Sequence, residues 1–378
     1  MAIYLTLTAV VILTAMLIKK TELNTGSTGN LRIHRGMKRQ DMVNIIAMTA
    51  IFLALFLVSA LRVNVGNDYA KYAEFMHLIY CDSYVPTEPG FNAVTYVIYH
   101  LSGFENFMLV FAFIAFFTVL FFIKAIWDQS EWFALSFAMF MLLGYYFQSI
   151  STVRYYLALG IALYSIKYVT KGDWPRFVFF VILGALFHKS MLVVLVLYPL
   201  AKLKWKRWMY AVGAALCVSC IFLHEQYLEL AKLIYPSYRN NAEEYVSGIS
   251  YTNIARCVAV IAFALWVYRD KLRENKTYML YFHCNLMGLA LYVFGAFLPI
   301  VSRIGYYLTV TQILFVPAII KSIKDDRKRK LITLMACLAF ALYFAVYMRG
   351  AGKDGIRILP YQTIMFHDMP PLLSDKGY

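Results

Sequence analysis

Long, uninterrupted runs of apolar residues constrain this chain more than any other feature. They are about 15–22 residues long and recur from residue 2 to residue 348, and this is the length that an α-helix needs to cross a bilayer. The runs are continuous and do not alternate with polar residues, which argues against a transmembrane β-barrel. The sequence therefore predicts an all-α fold, a polytopic integral membrane helical bundle.

About twelve membrane spans can be placed on the chain. They lie at 2–18, 42–61, 105–123, 132–147, 152–168, 175–188, 190–203, 208–224, 253–268, 278–299, 303–320 and 331–348. The apolar segment 90–103 is too short to cross and predicts a re-entrant or interfacial helix. Spans 175–188 and 190–203 adjoin at a predicted tight turn. A single long kinked helix is the alternative there, and it would reverse the topology of everything that follows.

Charge distribution supports this topology. If the spans alternate in direction, two thirds of the 36 Lys and Arg residues fall in the loops on one side, which the positive-inside rule identifies as the cytoplasm. Both ends of the chain then lie outside. Because the basic residues are spread over short loops, the net charge of +15 does not predict a nucleic-acid partner. We predict one transmembrane domain, 1–348, and a polar tail, 349–378, which either caps the outer face or is disordered.

No metal or cofactor is predicted. The chain has no Walker loop, no HExxH metal motif and no glycine-rich nucleotide loop. Cys217 and Cys220 form a CxxC motif, but it lies within a span and has no second pair, so it is a weak candidate for a metal or redox site. The energy for any reaction must then come with the substrate.

Four ionisable side chains lie at the outer ends of predicted spans, against the positive-inside trend. They are Arg154, His188, Arg256 and Arg303. An Arg at the centre of a membrane helix costs about 2.5–3.5 kcal/mol, and a single one near an end is most simply a residue that extends to the interface. The set of four instead predicts an anion site. The planar guanidinium group matches phosphate oxygens, and a lipid diphosphate supplies both an anionic head and a tail for the bilayer.

A sugar carried on such a lipid diphosphate is already activated for transfer. Arginines can stabilise the leaving diphosphate without a metal, and the acceptor hydroxyl needs a base or a hydrogen-bond acceptor. His188, Asp68 and Glu88 are the catalytic candidates, although a packing histidine and two solvated carboxylates are the simpler interpretations. Tyr72 and Tyr155 are candidates for stacking on sugar rings, and their alternative is the aromatic belt of the membrane interface.

Five segments, in this order, resemble the EpsG family of Wzy-like polysaccharide polymerases. They are GNDYAKYAEF, EPGFNAVTYVIYHLSG, STVRYYLALGIALYSIKY, LGALFHKSMLVVLVLYP and SRIGYYLTVTQILFVP, and the resemblance runs from about residue 60 to residue 320. It places the motif positions at Asp68, Tyr72, Glu88, Arg154, His188 and Arg303. Where the family often has Arg-Gln, this chain has Arg154 followed by Tyr155, so any role of that glutamine does not transfer.

The resemblance implies a GT-C-like, metal-independent glycosyltransferase in the bacterial inner (cytoplasmic) membrane. Such an enzyme joins undecaprenyl-diphosphate-linked oligosaccharide repeat units on the outer face, building exopolysaccharide, capsule or O-antigen. Membrane lipids and a chain-length regulator are the other implied partners. Arg154, Arg303 and Arg256 would bind the diphosphate.

Two alternatives stay open. A flippase or transporter of a lipid-linked oligosaccharide is expected to carry its charges at the bilayer midplane and to consist of related halves. An O-antigen ligase shares the donor and the membrane face, and the sequence barely separates it from a polymerase. An acyltransferase is disfavoured because no motif holds a His–Asp pair.

Overall fold

Helices make up nearly all of the regular structure. The computed structural model describes residues 1–20, 39–234, 249–272, 275–298, 301–353 and 355–372, and these contain no β-strand. The helices are α1 (Ala2–Ala15), α2 (Arg39–Ala60), α3 (Tyr69–Tyr80), α4 (Pro89–Ser102), α5 (Phe107–Gln129), α6 (Phe133–Leu142), α7 (Tyr145–Ser151), α8 (Val153–Lys171), α9 (Trp174–Ala185), a 3-10 helix (Lys189–Val196), α10 (Leu197–Lys202), α11 (Arg207–Phe222), α12 (His224–Ile234), α13 (Tyr251–Leu272), α14 (Lys276–Phe294), α15 (Val301–Thr309), α16 (Gln312–Lys321) and α17 (Asp326–Arg349).

Several of these helices are long and apolar enough to cross a membrane. By length and composition, the described residues contain four such segments, Arg39–Ala60, Phe107–Gln129, Val301–Lys321 and Asp326–Arg349, and up to six if two sharply bent helix pairs each count as one span. Three shorter apolar helices accompany them. The prediction of an all-α membrane protein is thus confirmed. The four to six candidate spans among the described residues are fewer than the twelve predicted.

Breaks within the predicted spans account for part of the difference. The predicted span 132–147 is divided between α6 and α7, which meet at an angle of 45°. Gly144 lies at the break with φ of 80°, a left-handed conformation that glycine adopts without strain. The predicted span 190–203 is a 3-10 helix followed by the short α10. The predicted turn near His188 is present, since α9 ends at Ala185, and the short helix predicted at 90–103 is α4.

Helix α8 lies at the centre of the bundle. It packs against α5 and α9, and α2 packs against α5. Thirteen of its nineteen residues are buried, as expected for a helix that is apolar on all faces. Gly160 allows close packing there, because a Cβ atom at this position would lie 3.1 Å from the Phe122 ring. Arg154 lies at one end of α8 and Lys171 at the other.

The C-terminal tail packs onto one end of the bundle. Its described part extends along the segment that follows α2: the amide of Val63 donates to the Gln362 carbonyl at 3.0 Å, and that of Gly66 to the Arg357 carbonyl at 2.8 Å. The side chain of Arg357 donates to Asn64 at 3.0 Å. The described part of the tail is therefore packed against the bundle. That it caps the outer face stays a prediction.

Candidate functional site

An ion pair joins the start of α8 to the start of α4. Arg154 lies in the first turn of α8, and its guanidinium group pairs with the Glu88 carboxylate, with both side chains about 15% exposed. Glu88 caps the N-terminus of α4 in an extended conformation, and Pro89 follows as the first helical residue. Proline suits that position because its missing N–H has no partner in the first turn anyway. The sequence thus places the Glu88 carboxylate just outside a helix end, free to reach Arg154.

Glu88 also holds the turn between α9 and the 3-10 helix. Its second carboxylate oxygen accepts a hydrogen bond from the Lys189 amide at 3.2 Å. Close by, the Gly90 amide donates to the Leu186 carbonyl at 2.8 Å. A Cβ atom at Gly90 would lie 2.7 Å from that same carbonyl oxygen, so only glycine permits this approach. One carboxylate therefore connects three segments that are far apart in sequence.

The guanidinium group of Arg154 lies between two aromatic rings. Its central carbon is 5.3 Å from the ring centres of both Tyr72 and Phe91, a distance at which a cation and a ring attract. Its Nε is buried and has no hydrogen-bond partner among the described residues. Burial raises the pKa of the Tyr72 hydroxyl, the charge of Arg154 lowers it, Asp68 raises it and Arg303 lowers it, which indicates that these groups lie close together.

His188 lies in the same cluster. Its Nδ1 is 2.7 Å from the Ser190 hydroxyl, which is 3.2 Å from the Tyr307 hydroxyl, and its ring lies 5.3 Å from the ring of Tyr155. Burial lowers the pKa of His188 to about 3, and the positive charges of Arg303, Arg154 and Lys189 lower it as well. The imidazole is therefore neutral at physiological pH and faces a positive environment.

Arg303 reaches this cluster from α15. Its carbonyl oxygen accepts a hydrogen bond from the Tyr155 hydroxyl at 2.7 Å, which fixes the first turn of α15 against α8. Its guanidinium group forms no ion pair with any described residue, although its charge acts on both His188 and Tyr72. The structure thus brings Arg154, His188 and Arg303 together, with one of the two arginines unneutralised by the described acids.

Asp68 lies at the edge of the cluster, one turn before Tyr72. The backbone that leads to it is held between the tail and α7: the Asn67 amide donates to the Ser151 hydroxyl at 2.9 Å, and Gly66 has φ of 108° against the end of α7. Asp68 is half-buried and caps α3, yet its side chain accepts no hydrogen bond from that helix. Of the two acids here, Glu88 is engaged at both oxygens, whereas Asp68 has no carboxylate contact among the described residues.

These groups favour an anionic ligand. Two guanidinium groups and a neutral imidazole lie close together in this cluster. Of the two carboxylates nearby, Glu88 is paired with Arg154 and Asp68 lies at the edge of the cluster. Among the described residues, no three His, Cys, Asp or Glu side chains converge as metal ligands do. Guanidinium groups in a partly dehydrated site stabilise phosphate oxygens and the negative charge that develops on a leaving diphosphate.

Comparison with known families decides the assignment. The model of the EpsG family matches residues 45–363. The chain belongs to the EpsG family. It has no significant match among curated proteins or among solved structures. Membership of the EpsG family indicates a Wzy-like polysaccharide polymerase in a membrane, an enzyme of the glycosyltransferase kind.

The matched EpsG region contains the whole cluster and the segment of the tail that packs beside it. Asp68, Tyr72, Glu88, Arg154, His188 and Arg303 all lie within it. Their proximity is a fact of the structure, and their catalytic and binding roles stay predictions. Within this EpsG-family chain, the position after Arg154 is Tyr155, whose hydroxyl holds α15 in place.

Arg256 lies in a neighbouring layer of tyrosines. Its guanidinium carbon is 5.8 Å from the Tyr145 ring centre and 5.9 Å from that of Tyr306, and its nearest hydrogen-bond acceptor is the Thr309 hydroxyl at 3.5 Å. In the described part of the chain, it makes no hydrogen bond or ring contact with Arg154, His188 or Glu88. The structure therefore groups Arg256 with this aromatic layer, and its role in binding diphosphate stays a prediction.

Tyr72 and Tyr155 are both buried, at 4% and 3% exposure. Neither ring presents a free face in this conformation, because Arg154 and Phe91 cover Tyr72 while His188 and Tyr307 cover Tyr155. Stacking on a sugar would require one of these neighbours to move, and that role stays a prediction.

Sequence reasoning missed the residues that support the cluster. Ser190, Tyr307 and Phe91 contact His188 or Arg154 directly or through one hydroxyl. Ser190 follows His188 by two residues, so a polar residue beside a candidate base was a usable signal. Tyr307 and Phe91 gave no signal in a chain with 30 Tyr and 29 Phe.

Proposed function

We propose that this protein joins undecaprenyl-diphosphate-linked oligosaccharide repeat units on the outer face of the bacterial inner membrane, without a metal ion. The observation that carries the proposal is the convergence of Arg154 and Arg303 on a neutral His188, with no described acid paired to Arg303. A dianionic head group would neutralise the excess positive charge. Membership of the EpsG family supplies the reaction class.

The bonds that change follow from the substrates. The donor is the growing chain on its lipid diphosphate, and the acceptor is a hydroxyl of the terminal sugar on a new lipid-linked unit. The bond from the anomeric carbon to phosphate oxygen breaks as the acceptor oxygen bonds to that carbon. The leaving group is undecaprenyl diphosphate, and the acceptor proton passes to a base. Arg154 and Arg303 would bind the diphosphate and stabilise the charge that it gains.

Asp68 is the base that the geometry favours. Glu88 is held by Arg154 and the Lys189 amide, so it serves to position Arg154. His188, with a pKa of about 3, is a weak proton acceptor while no anion is bound. We therefore assign His188 a hydrogen bond to the substrate, and assign proton acceptance to the Asp68 carboxylate, which has no described partner.

We propose the membrane arrangement that the apolar runs and the loop charges of the sequence predict. The chain crosses about twelve times in a GT-C-like bundle, with the cluster and the packed tail on the outer side. The short helices α1 and α9, and the apolar part of α13 (Tyr251–Val267), would then contribute spans beside the longer ones. A chain-length regulator is the proposed protein partner.

A reconstituted reaction tests this function. The purified protein receives one defined undecaprenyl-diphosphate repeat unit, with a chelator present and no nucleotide sugar. We expect a ladder of products, with one undecaprenyl diphosphate released for each bond formed. In a parallel liposome assay, movement of the lipid across the membrane without elongation would identify a flippase. When a lipid A core acceptor is added, transfer to that acceptor alone would identify a ligase. Either result overturns the proposal.

A further inference from the structure

A large basic pocket lies at the opposite end of α8 from Arg154. Its volume is about 980 Å³, which is at the upper end of the range for small-molecule sites. The C-terminal end of α8, the loop between α10 and α11, and the start of α14 surround it. Arg154 and Lys171 stand at the two ends of α8, and a helix rises 1.5 Å per residue, so about 25 Å separates the pocket from the candidate polymerase site.

Six basic residues line this pocket. They are Lys171, Lys202, Lys204, Lys206, Arg207 and Lys276. None of the described lining residues is Asp or Glu, and none of the six forms an ion pair with a described residue. Lys202 lies 4.4 Å from the ring centre of Tyr198. Like charges that line one cavity repel one another unless an anion lies among them.

An ordered aromatic wall forms one side of the pocket. The Trp205 ring stacks on the His283 ring, with centres 3.9 Å apart and planes 12° from parallel, and the Tyr210 hydroxyl lies 2.8 Å from Nε2 of His283. His283 is buried on α14, at 2% exposure. The stack therefore fixes the basic loop 203–206 to α14, so that the lysines on either side of Trp205 face a preformed cavity.

We propose that this pocket is a second anion site, which binds a phosphate-bearing ligand separately from the polymerase substrate. Lys and Arg side chains are common donors to phosphate groups. Leu200, Leu203 and Met279 add apolar surface to the lining, which suits an amphiphile such as an anionic phospholipid, and basic pockets between membrane helices bind such head groups. A soluble phosphate compound shares the recognised group.

Tryptophan fluorescence tests the proposal on the full-length protein in a neutral detergent. The probes are short-chain phosphatidylglycerol, short-chain phosphatidylcholine and inorganic pyrophosphate. We expect a saturable fluorescence change with at least one anionic probe, no change with phosphatidylcholine, and loss of the change in Trp205→Phe. Substituting Lys202, Lys204 and Lys276 together by Gln should weaken binding by about tenfold, or about 1.4 kcal/mol.

The control removes the same charge elsewhere. Lys324, Lys328 and Lys330 are exposed and do not line the pocket, and their triple Gln variant should bind as the wild type does. If both triple variants bind equally, or if no anionic probe saturates, the proposal is wrong. Single Lys206→Gln, with an expected loss of about two- to threefold, keeps the test valid if the triple variant does not fold.

The two anionic probes separate the sources of the phosphate. Saturation by phosphatidylglycerol alone supports a lipid ligand, and saturation by pyrophosphate at lower concentration supports a soluble one. Because the substituted lysines lie far from Arg154, the pocket and the polymerase reaction fail independently: a protein that makes no ladder can still bind the probes.

Discussion

The Glu88 carboxylate pairs with Arg154 across 66 residues of sequence and, with its other oxygen, accepts the Lys189 amide. This arrangement holds α4, α8 and the turn at His188 in a fixed relation. Arg303 enters the same space without a described carboxylate of its own. The two arginines should therefore respond differently to substitution.

Arg154→Ala should reduce both stability and polymerisation. It leaves the Glu88 carboxylate, only 14% exposed, without its cation, and an unpaired group of this kind costs about 1–3 kcal/mol. Arg303→Ala removes no ion pair among the described residues, so its stability should change by about 0.5 kcal/mol or less while the long products disappear. Thermal melting and the product ladder measure the two effects. An equal decrease in melting temperature for both variants would contradict the predicted difference in stability.

Arg303→Lys is the matched control for that pair. It keeps the positive charge but loses the planar fork that donates two hydrogen bonds at once. We expect a shortened ladder and a raised KM for the lipid donor, with the melting temperature of the wild type. Full activity in Arg303→Lys would show that a positive charge at this position is sufficient for donor binding and that the planar fork is not needed.

Asp68→Asn and Glu88→Gln should differ in their pH profiles. If Asp68 accepts the acceptor proton, Asp68→Asn lowers kcat by about 10²–10⁴ and removes the acidic limb of the profile of kcat. Glu88→Gln retains an acceptor for the Lys189 amide but weakens the contact with Arg154. It should therefore mainly raise KM, with the acidic limb intact. The reverse pattern would assign proton transfer to Glu88.

His188 should make stability depend on pH. Its pKa is about 3 in the folded protein and near its ordinary value of 6.5 in the unfolded chain, so between these values the unfolded state binds the proton and the folded state does not. Stability then rises with pH across that window and is lost as the pH falls below about 6.5. His188→Asn should flatten the dependence of melting temperature on pH between 6.5 and 4. The exposed His100 is the control, because His100→Asn should keep the slope of the wild type.

Gly90→Ala should separate α4 from the turn at His188. The new methyl group would lie 2.7 Å from the Leu186 carbonyl oxygen, and backbone there has to move. We expect a destabilisation of about 1–3 kcal/mol and a loss of polymerisation through the Glu88 contacts. Gly213→Ala is the control, since no atom lies within 4 Å of the added carbon in α11. Helix propensity predicts that Gly213→Ala is neutral or more stable by about 1 kcal/mol.

Apolar runs predicted where most helices lie, because a segment in lipid must satisfy its own backbone and be apolar throughout. The breaks were less predictable. Gly144 interrupts a continuous apolar run by its conformation, and composition alone does not reveal that. The helical segment α12 lay within a predicted loop, because its residues 224–234 carry several charges.

The sequence indicated the cationic residues of the candidate site but not which acid pairs with them. Arg154, His188 and Arg303 stood out because charge is rare in apolar runs. Nothing local indicates that Glu88 pairs with Arg154, because the contact depends on how α4 and α8 pack. The same limit applies to the basic pocket, whose lysines in the sequence are no different from those of any other short basic loop.

The hydrogen bonds between residues 357–362 and residues 63–66 bear on how the protein is made. The backbone that leads to Asp68 is synthesised early, yet its partner is translated almost 300 residues later. Until the ribosome has passed residue 362, this end of the bundle lacks its cover. The packing beside Asp68 is therefore completed late in membrane insertion, and a nascent chain stalled before the tail should hold its helices but not the finished arrangement of the candidate site.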